Sequence, residues 1–93
     1  YLPIEPNERS KRLKELEGRI YSEHQTQLFI ETPYRNHKML DDILKACRPQ
    51  TQLCIAANIT CEGEYIKTRT VKEWKGTALP DLSKIPCIFL LYK

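Results

Sequence analysis

The segment from Gln27 to Ala57 constrains this chain more than any other, because it changes structural period twice within about thirty residues. Leu28-Phe29-Ile30 is a short strand-like apolar run, and Pro33 ends it by removing a backbone donor and pushing Thr32 out of the α region. From Asn36 the pattern becomes helical, with Met39 or Leu40, Ile43, Leu44 and Cys47 at helical spacing, until Arg48-Pro49 stops it. Asp41 and Asp42 lie early in that helix and Lys45 and Arg48 late, the order its dipole favours. Leu53-Cys54-Ile55-Ala56-Ala57 then reads as a strand covered on both faces, in the middle of a sheet.

Around this strand, helix, strand unit the rest is shorter and simpler. Asn7-Glu8 opens an amphipathic pattern, with Asn7 as the expected N-cap, in which Leu13, Leu16 and Ile20 share a face and Arg9, Lys11, Arg12, Lys14, Glu15, Glu17 and Arg19 fill the remainder. Polar SEHQT marks its exit. After the second strand come a Glu62-Gly63 turn, a strand over Tyr65 to Val71, a short helix VKEWK capped by Thr70, a loop bearing Pro80 and Pro86, and a last strand from Cys87 to Tyr92. This order predicts an α/β layer: a mixed sheet of about four to five strands packed with two main helices. A chain of 93 residues holds one domain, residues 1–93.

Composition excludes several classes. Hydrophobic residues are 41% and charged residues 29%, as in ordinary globular chains. The longest apolar run, CIFLLY, is far short of the roughly 20 residues that span a bilayer, so no membrane partner is expected. The start YLPIEPNERSKR reads as the interior of a longer polypeptide and not as a signal peptide. Net charge is +3, too mild to mark a polyanion binder by itself. The four cysteines, Cys47, Cys54, Cys61 and Cys87, contain no C-x-x-C pair, and three fall at apolar positions, which reads as structural thiols in a reducing cytoplasm and no metal.

Catalytic constellations are not encoded. His24 and His37 have no neighbouring nucleophile, the three glycines are isolated, and Glu31 with Asp41 or Asp42 is better explained by the helix dipole than by acid-base chemistry. No catalytic residue is assigned. Two strand ends remain. In α/β sheets ligands collect beyond the carboxyl ends of strands, where Thr32, Tyr34 and Arg35 lie after one strand and Asn58, Ile59 and Thr60 after another. They form one wall of a small-molecule site, unless Tyr34 packs, Asn36 caps and Arg35 pairs with a carboxylate.

Tyr1-Leu2-Pro3, Glu8-Arg9 leading a charged helix, Phe29-Ile30-Glu31-Thr32-Pro33-Tyr34-Arg35, and Ala56-Ala57-Asn58-Ile59-Thr60 followed by Glu64-Tyr65 together resemble the C-terminal domain of the tetrapyrrole methylase superfamily. The resemblance covers nearly the whole chain and is nearest to the ribosomal RNA small-subunit methyltransferase I family, which shows G-[FY]-L-P, [FY]-E-[ST]-P-x-R and A-R-E-L-T-K segments. It implies a two-domain enzyme using S-adenosylmethionine, cytoplasmic and homodimeric, with a separate N-terminal domain supplying the glycine-rich loops. It implies that Ala56, Asn58, Ile59 and Thr60 contact the cofactor, and that Glu31, Pro33, Tyr34 and Arg35 frame the acceptor, a ribose of small-subunit ribosomal RNA or a tetrapyrrole-like small molecule. Ala57-Asn58 stand where the pattern has Arg-Glu, and Cys61 where it has Lys, so two positive groups of the kind that hold a nucleic-acid backbone are missing. The competing expectation is a non-catalytic α/β module that binds RNA or protein through Arg9, Lys11, Arg12, Lys67, Arg69, Lys72 and Lys75.

Overall fold

A glutamate begins the first helix. In the computed structural model, which describes residues 5–32, 35–58, 62–77, 79, 81–82 and 84–93, α1 runs Pro6–Glu23 and its N-cap is Glu5, not the expected Asn7. The Glu5 carboxylate accepts from Asn7 N at 3.2 Å and Glu8 N at 2.8 Å, filling two amides that the first helical turn leaves open. A residue with no N–H is well placed at the first helical position. The remaining elements are β1 (Gln27–Ile30), α2 (Asn36–Ala46), β2 (Gln52–Ala57), β3 (Tyr65–Thr70), α3 (Val71–Lys75) and β4 (Cys87–Tyr92). Tyr1 to Pro3, Pro33, Tyr34, Ile59, Thr60, Cys61 and Pro80 lie outside the described residues.

The strands form one sheet in the order β1-β4-β2-β3, and all three pairings are antiparallel, so the expected mixed sheet is corrected. The last strand causes the difference. The helical crossover through α2 gives β1 and β2 the same direction, and β4 then inserts between them running the other way, pairing Ile30 with Ile88 and Ile88 with Ala56. β2 and β4 are therefore the two internal strands.

Alternate residues of these strands, Phe29, Leu53, Ile55, Ala57, Cys87, Phe89 and Leu91, join Leu13, Leu16, Ile20, Met39, Leu40, Ile43, Leu44 and Trp74 in one core. Each fully buried side chain of this size contributes about 1.5–3 kcal/mol before entropy is counted. Ala56 is buried but outside that core, because it points to the opposite face, so the expectation that β2 is layered on both sides is also corrected. The short helix was read correctly: Thr70 and Glu73 form a reciprocal capping box, and Val71 and Trp74 turn inward.

Glu17, expected on the solvent side of α1, is only 4% exposed. Its carboxylate accepts from Arg48 N and Thr51 Oγ1, each at 2.6 Å, and so fixes α1 to the loop between α2 and β2. Tyr21 OH shares a hydrogen bond with Thr51 at 2.8 Å, and the Arg48 guanidinium lies 4.6 Å from the Tyr21 ring.

Cys47, Cys54 and Cys87 are free thiols. Burial, with the Glu17 carboxylate nearby, pushes Cys47 from an ordinary 9.0 to about 12. Burial, with Cys54 close by, pushes Cys87 to about 11. Above pH 9 the unfolded chain loses these protons while the fold keeps them, so the stability they contribute is complete below about pH 9 and is lost as pH rises toward 11 and 12. The expected result is a urea midpoint that declines steadily from pH 9 to 11, with the decline reduced in Cys47→Ala. An equal decline in that variant would assign the effect to other groups.

Candidate site at the carboxyl ends of two strands

The register sets the geometry of the site. Because Ile30, Ile88 and Ala56 lie in one row, the carboxyl ends of β1 and β2 reach the same edge of the sheet, two strand spacings or about 10 Å apart, with the start of β4 between them. Asn58 follows β2 in the left-handed region at φ 51 and donates its backbone N–H to Pro86 O at 3.1 Å. That bond holds the end of β2 against the start of β4.

Asn36 does the same from the other side. It does not cap α2: the N-cap is Arg35, with no side-chain cap bond, and Asn36 is fully buried, its Nδ2 donating to Leu82 O at 3.0 Å and Ile85 O at 2.8 Å. Leu82 N–H lies 3.1 Å from His37 Nε2, and the Asp81 carboxylate lies 3.3 Å from the same nitrogen. The beginning of α2 thus carries the loop that leads into β4.

At the end of β1, Arg35 N donates to Thr32 O at 2.8 Å and closes a tight turn. Glu31 points back into the protein. Its Oε2 accepts from Arg9 Nη2 at 2.6 Å, and its Oε1 accepts from Thr32 N at 2.8 Å and lies 3.7 Å from Arg35 Nη1. Arg9 also donates to Asp42 at 3.2 Å, and Asp42 accepts from Lys38 at 3.0 Å. Lys38, Asp42, Arg9, Glu31 and Arg35 therefore alternate in sign, three cations to two anions. Arg9 and Glu31 are enclosed, while the Arg35 side chain, 32% exposed, is where the row reaches the edge of the sheet.

Of the site residues expected from sequence, Glu31 and Arg35 meet directly, Asn58 lies along the same edge, and Ala56 is one row back on the open face. Pro33, Tyr34, Ile59 and Thr60 lie outside the described residues. Sequence reasoning missed Arg9 as a support for this turn and placed it on the basic surface of the interaction-module reading; at 1% exposure it leaves that set. Its position four residues before Leu13, on the apolar stripe of α1, was the available signal. A recess of about 180 Å³ at the other end of the sheet, lined by Ile20, His24, Gln25, Thr26, Tyr92 and Lys93, is smaller than ligand pockets usually are.

No family model matches the chain, and no curated protein does. Among solved structures, the crystal structure of the methyltransferase CobJ matches with a TM-score of 0.58 at 15% identity, over 90% of this chain and 34% of that one. The fold resembles part of that protein. The chain spans about a third of CobJ, and at this identity the likeness establishes architecture: a four-stranded sheet with helices, in the order described above. No helix among the described residues is long and apolar enough to cross a membrane.

Proposed function

We propose that this chain forms one wall of the cofactor and substrate cleft of an S-adenosylmethionine-dependent methyltransferase, with a separate N-terminal domain as the other wall. The observation that carries the reading is the convergence of the β1 and β2 ends on one edge of a sheet whose fold matches part of CobJ. S-adenosylmethionine supplies an activated methyl group on sulfur. This chain's part is to hold and orient the two reactants.

The residues suit that role. Ala56 and Ala57 keep the end of β2 free of bulk and Asn58 follows them, so the adenosine meets backbone groups and small side chains, with Ile59 and Thr60 assigned to the same contact by the resemblance. Arg35 closes the turn after β1 and presents a cation to the acceptor, with Pro33 and Tyr34 assigned to the same wall by the resemblance. Glu31 positions Arg35 and the turn, since its own oxygens are engaged. The neutral Ala57, Asn58 and Cys61 favour a carboxylate-bearing, tetrapyrrole-like acceptor over the ribose of ribosomal RNA, because RNA binding depends on accumulated positive contacts.

Arg35→Ala tests this in the natural full-length protein. The expected result is a loss of at least about tenfold in kcat/KM for methyl transfer, as for removal of a charge-assisted contact, with stability within about 1 kcal/mol of the parent because the Arg35 pair is partly solvated. Unchanged turnover with the true acceptor would remove Arg35 from the site.

A further inference from the structure

One ring nitrogen faces two partners that it cannot serve together. Leu82 N–H, 3.1 Å from His37 Nε2, needs a lone pair there, whereas the Asp81 carboxylate, 3.3 Å from the same atom, needs a proton on it. Burial decides which is served while the ring is neutral. Leu82 is 1% exposed and the Asp81 side chain 85%, so an amide left without an acceptor costs more than a carboxylate left to water. The neutral ring therefore keeps its proton on Nδ1 and holds Leu82. An imidazolium has no lone pair on either nitrogen, so protonation displaces Leu82 N–H and offers Asp81 a charged donor.

We infer that His37 is a pH-sensitive latch on the loop that leads into β4, closed when the ring is neutral and released when it is protonated. The ring is half exposed, so protons reach it from solvent. Among the described residues Asp81 is the charged group within ion-pair distance of it. On α2 itself, Lys38 lies 3.0 Å from Asp42 and Asp41 3.7 Å from Lys45. From the elements packed against α2, Arg9 of α1 is turned to Glu31 and Asp42, and Glu73 of α3 to the Thr70 cap. Lys84 is the other charge in the loop.

The cluster has two arrangements that differ by one proton. Asn36 Nδ2 ties the loop to α2 through Leu82 O and Ile85 O, bonds that do not titrate, so acid loosens the loop without freeing it. Asn36 Oδ1 is buried with no partner among the described residues, so an acceptor for the displaced amide is already part of the cluster. Further along the same loop, Pro86 O accepts from Asn58 N–H at the end of β2. Release at His37 therefore loosens the edge assigned above to the cofactor. That consequence rests on the methyltransferase reading, and the latch itself does not.

NMR of the natural full-length protein, isotope-labelled at leucine, histidine and asparagine, follows the latch from about pH 8 to about pH 5, the span over which imidazoles change charge. At the upper end the His37 ring is expected to carry its proton on Nδ1, with Nε2 bare. As the ring takes its second proton, protection of the Leu82 amide from hydrogen exchange, corrected for the direct effect of pH, is expected to fall about fivefold, the order of one hydrogen bond's net contribution. The Asn58 amide is expected to lose protection in step. His37→Gln keeps an acceptor that cannot titrate, and is expected to hold Leu82 protection constant. Asp81→Asn removes the carboxylate that draws the proton, and is expected to reduce the loss. A Leu82 amide indifferent to pH, or a loss undiminished in either variant, would overturn the latch. An Asn58 amide that stays protected while Leu82 loosens would overturn its reach to the cleft. The measurement uses no ligand, so failure of the latch and failure of the cofactor reading are separate results.

Discussion

Arg9→Met destabilises the chain by about 3–5 kcal/mol in urea unfolding, one of the two largest effects expected here. Arg9 is 1% exposed and its guanidinium holds Glu31 at 2.6 Å and Asp42 at 3.2 Å. Removing it takes the central cation from two carboxylates, one of them only 3% exposed, and leaves Glu31 with Arg35 at 3.7 Å and Asp42 with Lys38 at 3.0 Å. A domain of this size has about 5–15 kcal/mol of stability in all, so the variant is close to the limit of folding. Arg9→Lys keeps the charge and loses the two-pronged geometry, and falls between the two. Arg9→Met with Glu31→Gln recovers part of the loss, because one of the two carboxylate charges is gone. A loss under 1 kcal/mol in Arg9→Met would mean that Arg35 and Lys38 suffice for the carboxylates and that the turn after β1 does not depend on α1.

Trp74→Ala is expected to cost about 3–5 kcal/mol, through the cavity left by a fully buried indole. α3 has five residues and little stability of its own, so its place depends on this anchor. Trp74 Nε1 donates to Leu53 O at 2.8 Å, and the Arg69 guanidinium lies 5.0 Å from the ring. Trp74→Phe keeps most of the packing and loses that hydrogen bond, so a smaller cost is expected, the bond itself contributing about 1 kcal/mol. Since Trp74 is the sole tryptophan, unfolding is followed by circular dichroism in all variants. Equal losses in Trp74→Ala and Trp74→Phe would place the energy in the hydrogen bond and not in the cavity.

Local chemistry was the most legible part of this chain. The Thr70 capping box, the turn at Gly63 with φ 81, and the apolar stripes of both long helices are set by residues a few positions apart, which a sequence displays directly. Strand order is not local. CIFLLY is evidently a strand, but nothing in its period states that it enters between β1 and β2, and that insertion makes every pairing antiparallel. Charge misled twice, at Arg9 and Glu17, because both lie on the buried side of α1 and are paired there across thirty or so residues by contacts the sequence cannot place. Asn36 misled for a related reason: a residue type that usually caps is turned inward to hold the loop before β4.

The site was legible to a different degree at each end. The Glu31 to Arg35 turn and the Ala56 to Thr60 segment stood out as motifs, and the common direction of β1 and β2 brings the strand ends before them, Ile30 and Ala57, to the same end of the sheet. What motifs could not state is that Glu31 faces inward to Arg9, leaving Arg35 as the polar group at the turn's outer side.

The most direct measurement is hydrogen exchange of the natural full-length protein with and without S-adenosylhomocysteine. Slowed exchange concentrated at Ala56 to Thr60, with a smaller effect from Glu31 to Asn36, is the predicted result, since ligand contact at the two strand ends suppresses local opening there. Binding that leaves both segments unchanged, or no binding to a folded protein, would contradict the assignment of this edge as a wall of the cofactor cleft.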